Sequence, residues 1–237
     1  MQLRDIIPFL GIILVLAALV GAVGGIVYLV LKLRAGERIT FPTRLLFRLY
    51  LYVISLISLV TLVAGLSNLV QAGLGAALGK EFSYNPVYVA EPFRPAPEPV
   101  KGEPPTVDPK ADEELRQKGL DRALKEGLLN GLSLSIVGAA VLALHTWSRR
   151  RLETEEERRG IPHRVYLILL LALFGVVTLV TLPSAIYESL RYYLLDTMRQ
   201  DYGNRPGGAL ATALVALPVW AYYLRGAIGM LRKGNGD

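Results

Sequence analysis

The chain contains no cysteine, which excludes disulfides, thiolate nucleophiles and cysteine-ligated metals outright and leaves the redox compartment undetermined. Histidine is scarce as well, with only His145 and His163. No His-x-x-Glu-His spacing, paired-carboxylate or Ser-His-Asp arrangement appears, and no glycine loop precedes a lysine in phosphate-binding fashion. Those patterns carry zinc hydrolysis, acid–base catalysis, acyl transfer and nucleotide binding. Their absence predicts a chain that is not an enzyme, with no catalytic residues, no metal and no cofactor. Charge is sparse where it would matter most: the five long apolar blocks hold only Arg48, Glu188 and Arg225, each within two turns of a block end. Ionisable groups in hydrocarbon are costly and mark pumps, relays and ion paths.

What is abundant is hydrophobicity. With 52% hydrophobic residues and a positive mean hydropathy, the chain is too apolar for one water-soluble domain of 237 residues. The excess sits in blocks at residues 6–31, 45–69, 128–147, 165–188 and 209–231. Each is long enough to cross roughly 30 Å of hydrocarbon as a helix, which takes about 20 residues. No basic n-region precedes the first block and no small-x-small cleavage site follows it, so it reads as a retained helix rather than a secretory signal. The expected fold class is an all-α, polytopic integral membrane protein with five transmembrane helices.

The net charge of +6 does not point to nucleic acid, because the basic residues flank the apolar blocks instead of covering one soluble face. Lys32, Arg34, Arg38 and Arg44 lie between the first and second blocks, with Arg48 in the opening turn of the second. Arg149, Arg150, Arg151, Arg158, Arg159 and Arg164 lie between the third and fourth. Short basic loops stay in the cytoplasm, which predicts a membrane protein with its N-terminus outside and its C-terminus inside. Residues 79–127 and 189–208 are then external. Arg44, Arg48, Arg149, Arg150 and Arg164 are expected at the lipid headgroups, where long cationic side chains snorkel.

An internal repeat is visible. A shift of 120 positions superposes Pro42 on Pro162, Arg44 on Arg164 and Val60-Thr61-Leu62 on Val180-Thr181-Leu182. "AAVLALHTWSRR" matches "LPVWAYYLRGA" at a different offset, so the repeating unit is a helical hairpin. Because an even number of spans separates the copies, they would be parallel duplicated hairpins about an axis along the membrane normal. Convergence of apolar helices with basic inner ends is the alternative. "RLYLYVISLISLVTLVAGLSNLV", then "LALHTWSRR", then a hairpin ending "LPVWAYYLR" resembles a multi-pass bacterial membrane family known only as a domain of unknown function, from about Pro42 to Arg232. The resemblance implies architecture and brings no functional residues. The expected organisation is 1–34, a first helix; 35–78, a loop and second helix; 79–127, an external proline-rich arm and amphipathic helix; 128–164, a third helix and basic loop; and 165–237, the second hairpin and tail.

Smaller features carry further expectations. Gly21 and Gly25 form a Gly-x-x-x-Gly spacing for close helix packing, within the chain or between chains. Ser55, Ser58, Thr61, Thr178 and Thr181 read as helix–helix hydrogen-bonding groups, with a polar pore as the alternative. Glu188 reads as a headgroup-level carboxylate, and His145 and His163 as interfacial or loop residues rather than haem ligands. Pro183 and Pro218 interrupt spans, with hydroxyls of Thr178, Thr181 and Ser184 near the freed carbonyls. The proline-rich stretch from Pro86 to Pro109 predicts stiff extended backbone, and Phe82, Tyr84, Tyr88 and Phe93 supply aromatics for docking on a partner or on the outer helix ends. Pro109 begins a charged helix that Gly119 and Gly127 weaken, expected to lie at the interface or to lead bent into the third span. Together these predict an accessory or scaffold subunit of a larger membrane assembly, contacting lipids and other membrane subunits but no nucleic acid. A small-solute or ion transporter or channel is the rival.

Overall fold

A computed structural model describes residues 43–87, 109–155, 160–194 and 205–234. All regular structure in them is helical: α1 (Thr43–Leu78), α2 (Lys80–Ser83), α3 (Pro109–Leu152), α4 (Ile161–Leu194) and α5 (Pro206–Gly234). Four of the five, α1, α3, α4 and α5, are long and apolar enough to cross a membrane. The span expected at residues 6–31, with Gly21 and Gly25, lies outside the described residues. The chain divides into two compact units, Met1–Leu51 and Tyr52–Asp237, and the described part of the first is the opening of α1.

Proline sets the start of every long helix. Thr43 follows Pro42, Pro109 and Pro206 are the first residues of α3 and α5, and Pro162 is the second of α4. The first turn has no acceptor for its own amides, so a residue lacking one costs nothing there and brings a φ already suited to the helix. At its other end α1 stops at Gly79, whose φ of 105° is the only positive one among the described residues. A side chain there would be strained, and the turn lets the short α2 fold back, with Phe82 N donating to Gly79 O at 3.0 Å and Tyr84 N to Lys80 O at 2.8 Å.

The charged helix leads into the third span: residues 109–152 form one uninterrupted helix of 44 residues, about 66 Å along its axis at the usual rise and twice the hydrocarbon thickness. The boundary expected at Leu128 falls inside it. Each glycine costs about 1 kcal/mol of helix propensity, but both buy contact: a Cβ on Gly119 would stand 3.1 Å from Val87 O, and Gly127 faces the Tyr84 ring. Packing of the preceding segment onto these bare positions offsets the propensity loss.

Glycines also set the packing of α1 on α3. A Cβ on Gly65 would meet Ser135 N at 2.5 Å, one on Gly138 would meet Leu62 N at 2.6 Å, and one on Gly131 would meet the Leu69 side chain at 2.9 Å. As the position rises along α1 it falls along α3, so the pair is antiparallel with its backbones in close approach, the geometry small residues permit in an apolar solvent. α4 and α5 form a second pair, with Gly175 against the Trp220 indole. The shared core joins Tyr52, Leu59 and Val63 of α1 to Tyr166, Leu170 and Phe174 of α4 and Ala216 of α5. Pro183 and Pro218 are accommodated inside continuous helices. Thr181 and Ser184 donate to Val177 O and Val180 O at 2.8 and 2.9 Å, on either side of the Leu179 carbonyl that Pro183 leaves without an amide.

Candidate functional site

Two polar clusters cap the unit, one at each end. At the basic end Tyr52 of α1 and the early turns of α4 meet the last turn of α3. Arg149, three residues before the end of α3, turns inward, with its side chain only 13% exposed. Its guanidinium carbon lies 3.8 Å from the centre of the Tyr52 ring and 4.9 Å from that of Tyr166, and those two rings are themselves 5.1 Å apart. Nη2 approaches His163 Nδ1 at 3.5 Å. One turn on, the Glu153 carboxylate reaches Arg149 Nε at 3.6 Å with its side chain 2% exposed, while Glu153 N donates to Arg149 O at 2.9 Å. Tyr223 of α5 packs against the core that Tyr52 and Tyr166 share.

A buried cation is tolerable only where charge and quadrupole meet it. A carboxylate and two aromatic faces do so here, each face contributing on the order of 1–2 kcal/mol when desolvated. The cluster fastens α1, α3 and α4 at one point. Arg150 and Arg164, expected at the headgroups like Arg149, are exposed, as is Arg151, which lies 5.5 Å over the Trp147 ring. Arg44 and Arg48 occupy the first two turns of α1. Sequence reasoning missed Tyr52, Glu153, Tyr166 and Tyr223. The spacing of Arg149 and Glu153 was a visible sign of a helical ion pair, but the tyrosines come from three other helices with no spacing to announce them.

At the opposite end, residues 79–87 form a strap over the helix ends. Gln71 Nε2 donates to Ser83 O at 2.7 Å, and Arg205 Nε donates to Asn85 Oδ1 at 2.7 Å. Phe82, 1% exposed, sets its ring at 88° to that of Tyr192, with centroids 5.2 Å apart. Val87 N donates to Gly119 O at 3.3 Å. Arg116 pairs with Glu81 at 3.0 Å and Lys80 with Asp121, joining α2 to α3. Ser83 packs directly on Gly207 at the start of α5. Phe82 and Tyr84, expected to dock on a partner or on the outer helix ends, pack against helices of this chain. Burial raises the Tyr84 phenol above its ordinary pKa. Tyr88 and Phe93 lie outside the described residues.

Several hydroxyls within the spans turn back on their own helices, whereas Ser135 Oγ and Thr178 Oγ1 are buried with no hydrogen-bond partner. Ser58, Thr61 and Ser67 in α1 donate to the carbonyl four residues earlier at 2.7–3.0 Å, and Thr212 in α5 does the same at 3.0 Å, alongside Thr181 and Ser184. His145 Nδ1 lies 2.8 Å from Val141 O on its own helix. Glu188 lies in the last two turns of α4. Among the described residues no three His, Asp or Glu side chains are grouped to hold a metal ion.

No curated protein and no solved structure matches the chain. The family resemblance seen in the sequence reappears over a shorter stretch: residues 112–222, from the projecting part of α3 through α4 to the middle of α5, match the family model described as Domain of unknown function (DUF5671).

Proposed function

We propose that this chain is a non-enzymatic accessory or scaffold subunit of a larger assembly in a bacterial inner membrane. In this reading it spans five times, N-terminus outside and C-terminus cytoplasmic, with the basic end inside and the strap end outside. The observation that carries it is that Ser58, Thr61, Ser67, Thr181, Ser184 and Thr212 donate to carbonyls of their own helices: a group so engaged presents little to a solute. The rival transporter or channel needs polar side chains converging between the hairpins, whereas α1, α4 and α5 meet through Tyr52, Leu59, Val63, Leu170, Phe174 and Ala216. Two antiparallel helix pairs, each opening beside a proline, are what a duplicated hairpin would give. The strap roots the proline-rich arm at the end from which α3 projects, a suitable platform for neighbouring subunits.

The test is purification of the tagged full chain from its native membrane in mild detergent. Partners retained in fixed stoichiometry are expected, and cysteines introduced at Thr43 and Thr154 should react only from the cytoplasmic side. A partner-free chain that conducts a solute or ion in liposomes would overturn the reading in favour of its rival.

A further inference from the structure

The strap meets all four long helices, and it does so largely on bare backbone. Ser83 lies between Gly75 of α1 and Gly207 of α5: a Cβ on Gly75 would stand 3.2 Å from the Ser83 Cβ, and one on Gly207 would run into the same residue. The Tyr84 ring sits against Gly75 and against Gly127 of α3, and Val87 covers Gly119. Phe82 reaches α4 through Tyr192, and Asn85 reaches Arg205 just before α5. Glycine facets let the strap lie close without interlocking side chains. The ion pairs beside it, Lys80 with Asp121 and Glu81 with Arg116, are partly exposed, so each contributes little and is screened by salt.

The docked strap also carries costs. Ser83 Oγ and the Tyr84 phenol oxygen are buried without a hydrogen-bond partner, and such groups recover their hydration only on release. The chain enters the strap through Gly79, whose φ is 105° and whose would-be Cβ meets nothing within 4 Å, so the backbone there has room to turn. We propose that residues 79–87 form a releasable clamp that swings about Gly79 as one piece. Docked, it joins α1 and α3 to α4 and α5 at this end; released, it lets them part there. The Arg149 cluster fastens α1, α3 and α4 at the other end, so release opens one end of the bundle and leaves the other closed. Such a movement needs no partner and no particular orientation in the membrane.

The chain has no cysteine of its own, so one introduced thiol reports opening without background. Ser83→Cys places it under the clamp at a position 2% exposed, and Ala216→Cys places it in the helix core at 0%. Each full-length variant is labelled with N-ethylmaleimide in mild detergent, and its rate is referred to that of the same variant unfolded in dodecyl sulfate. Local opening is easier than global unfolding, so the Ser83→Cys thiol should be protected, but less than the Ala216→Cys thiol by about tenfold or more. Added to Ser83→Cys, Gly79→Ala puts a side chain on a backbone conformation that disfavours one and should speed labelling roughly tenfold. Tyr84→Phe removes a buried unpartnered hydroxyl and should slow it roughly tenfold. Neither should change the labelling of Ala216→Cys. Equal protection of the two thiols, no protection of Ser83→Cys, indifference of its labelling to both substitutions, or the same change at Ala216→Cys would each overturn the clamp.

Discussion

Substituting alanine for Gly138 tests whether close backbone approach holds α1 to α3. The added methyl would stand 2.6 Å from Leu62 N and 2.8 Å from Leu62 Cα, both backbone atoms that no rotamer change can remove. Ordinary contact begins near 3.4 Å, so the helices must part locally by about 0.8 Å, which strips dispersion contacts from the neighbouring turns. Overpacking of this kind costs about 1–3 kcal/mol, against which alanine returns up to about 1 kcal/mol of helix propensity. The net expectation is a loss of about 1–2 kcal/mol. Gly73 is the internal control: it lies in α1 too, but a Cβ there meets nothing within 4 Å, so Gly73→Ala should be neutral or stabilising by up to about 1 kcal/mol. Gly65→Ala should resemble Gly138→Ala, and the double variant should cost less than the two together, since opening the interface at one site relieves the other. The readout is thermal or denaturant unfolding of the full chain in detergent, followed by tryptophan fluorescence. If Gly138→Ala and Gly73→Ala unfold together, the glycines do not set the packing and the reasoning fails.

Two further outcomes follow from the end clusters. Arg149→Leu should destabilise by about 3 kcal/mol, because it leaves the Glu153 carboxylate buried without its arginine, and Arg149→Leu with Glu153→Leu should recover most of that; a double variant no better than the single would refute the pair's role. At the strap end, the folded-state pKa of Tyr84 lies above its unfolded value, so its contribution is fully present below pH about 10 and is lost as pH rises through the folded value. Tyr84→Phe should be neutral or stabilising at pH 7 and should flatten the alkaline limb of the stability profile, and an unchanged limb would exclude the phenol.

The class of the fold was legible in the sequence because solvent dictates it: uncharged apolar runs of about 20 residues have few stable alternatives to a spanning helix. The same holds for the proline starts of the helices and for the concentration of arginine beside the spans. Those are local properties, carried by adjacent residues and a single dielectric boundary. What only the tertiary structure decided was direction. Nothing in "SRRRLE" says that Arg149 turns inward onto Tyr52 and Tyr166 while Arg150 and Arg151 turn out, because that depends on which face of α3 touches α1 and α4. Gly119 and Gly127 read as weak points until the segment before the arm packed against them, and only the ring of Tyr192 closing over Phe82 chose the outer helix ends over a partner for that side chain. Helix formation is written in nearest neighbours, whereas the burial of a given charge, glycine or aromatic ring depends on residues many turns distant, whose arrival is fixed only by the packing of whole helices.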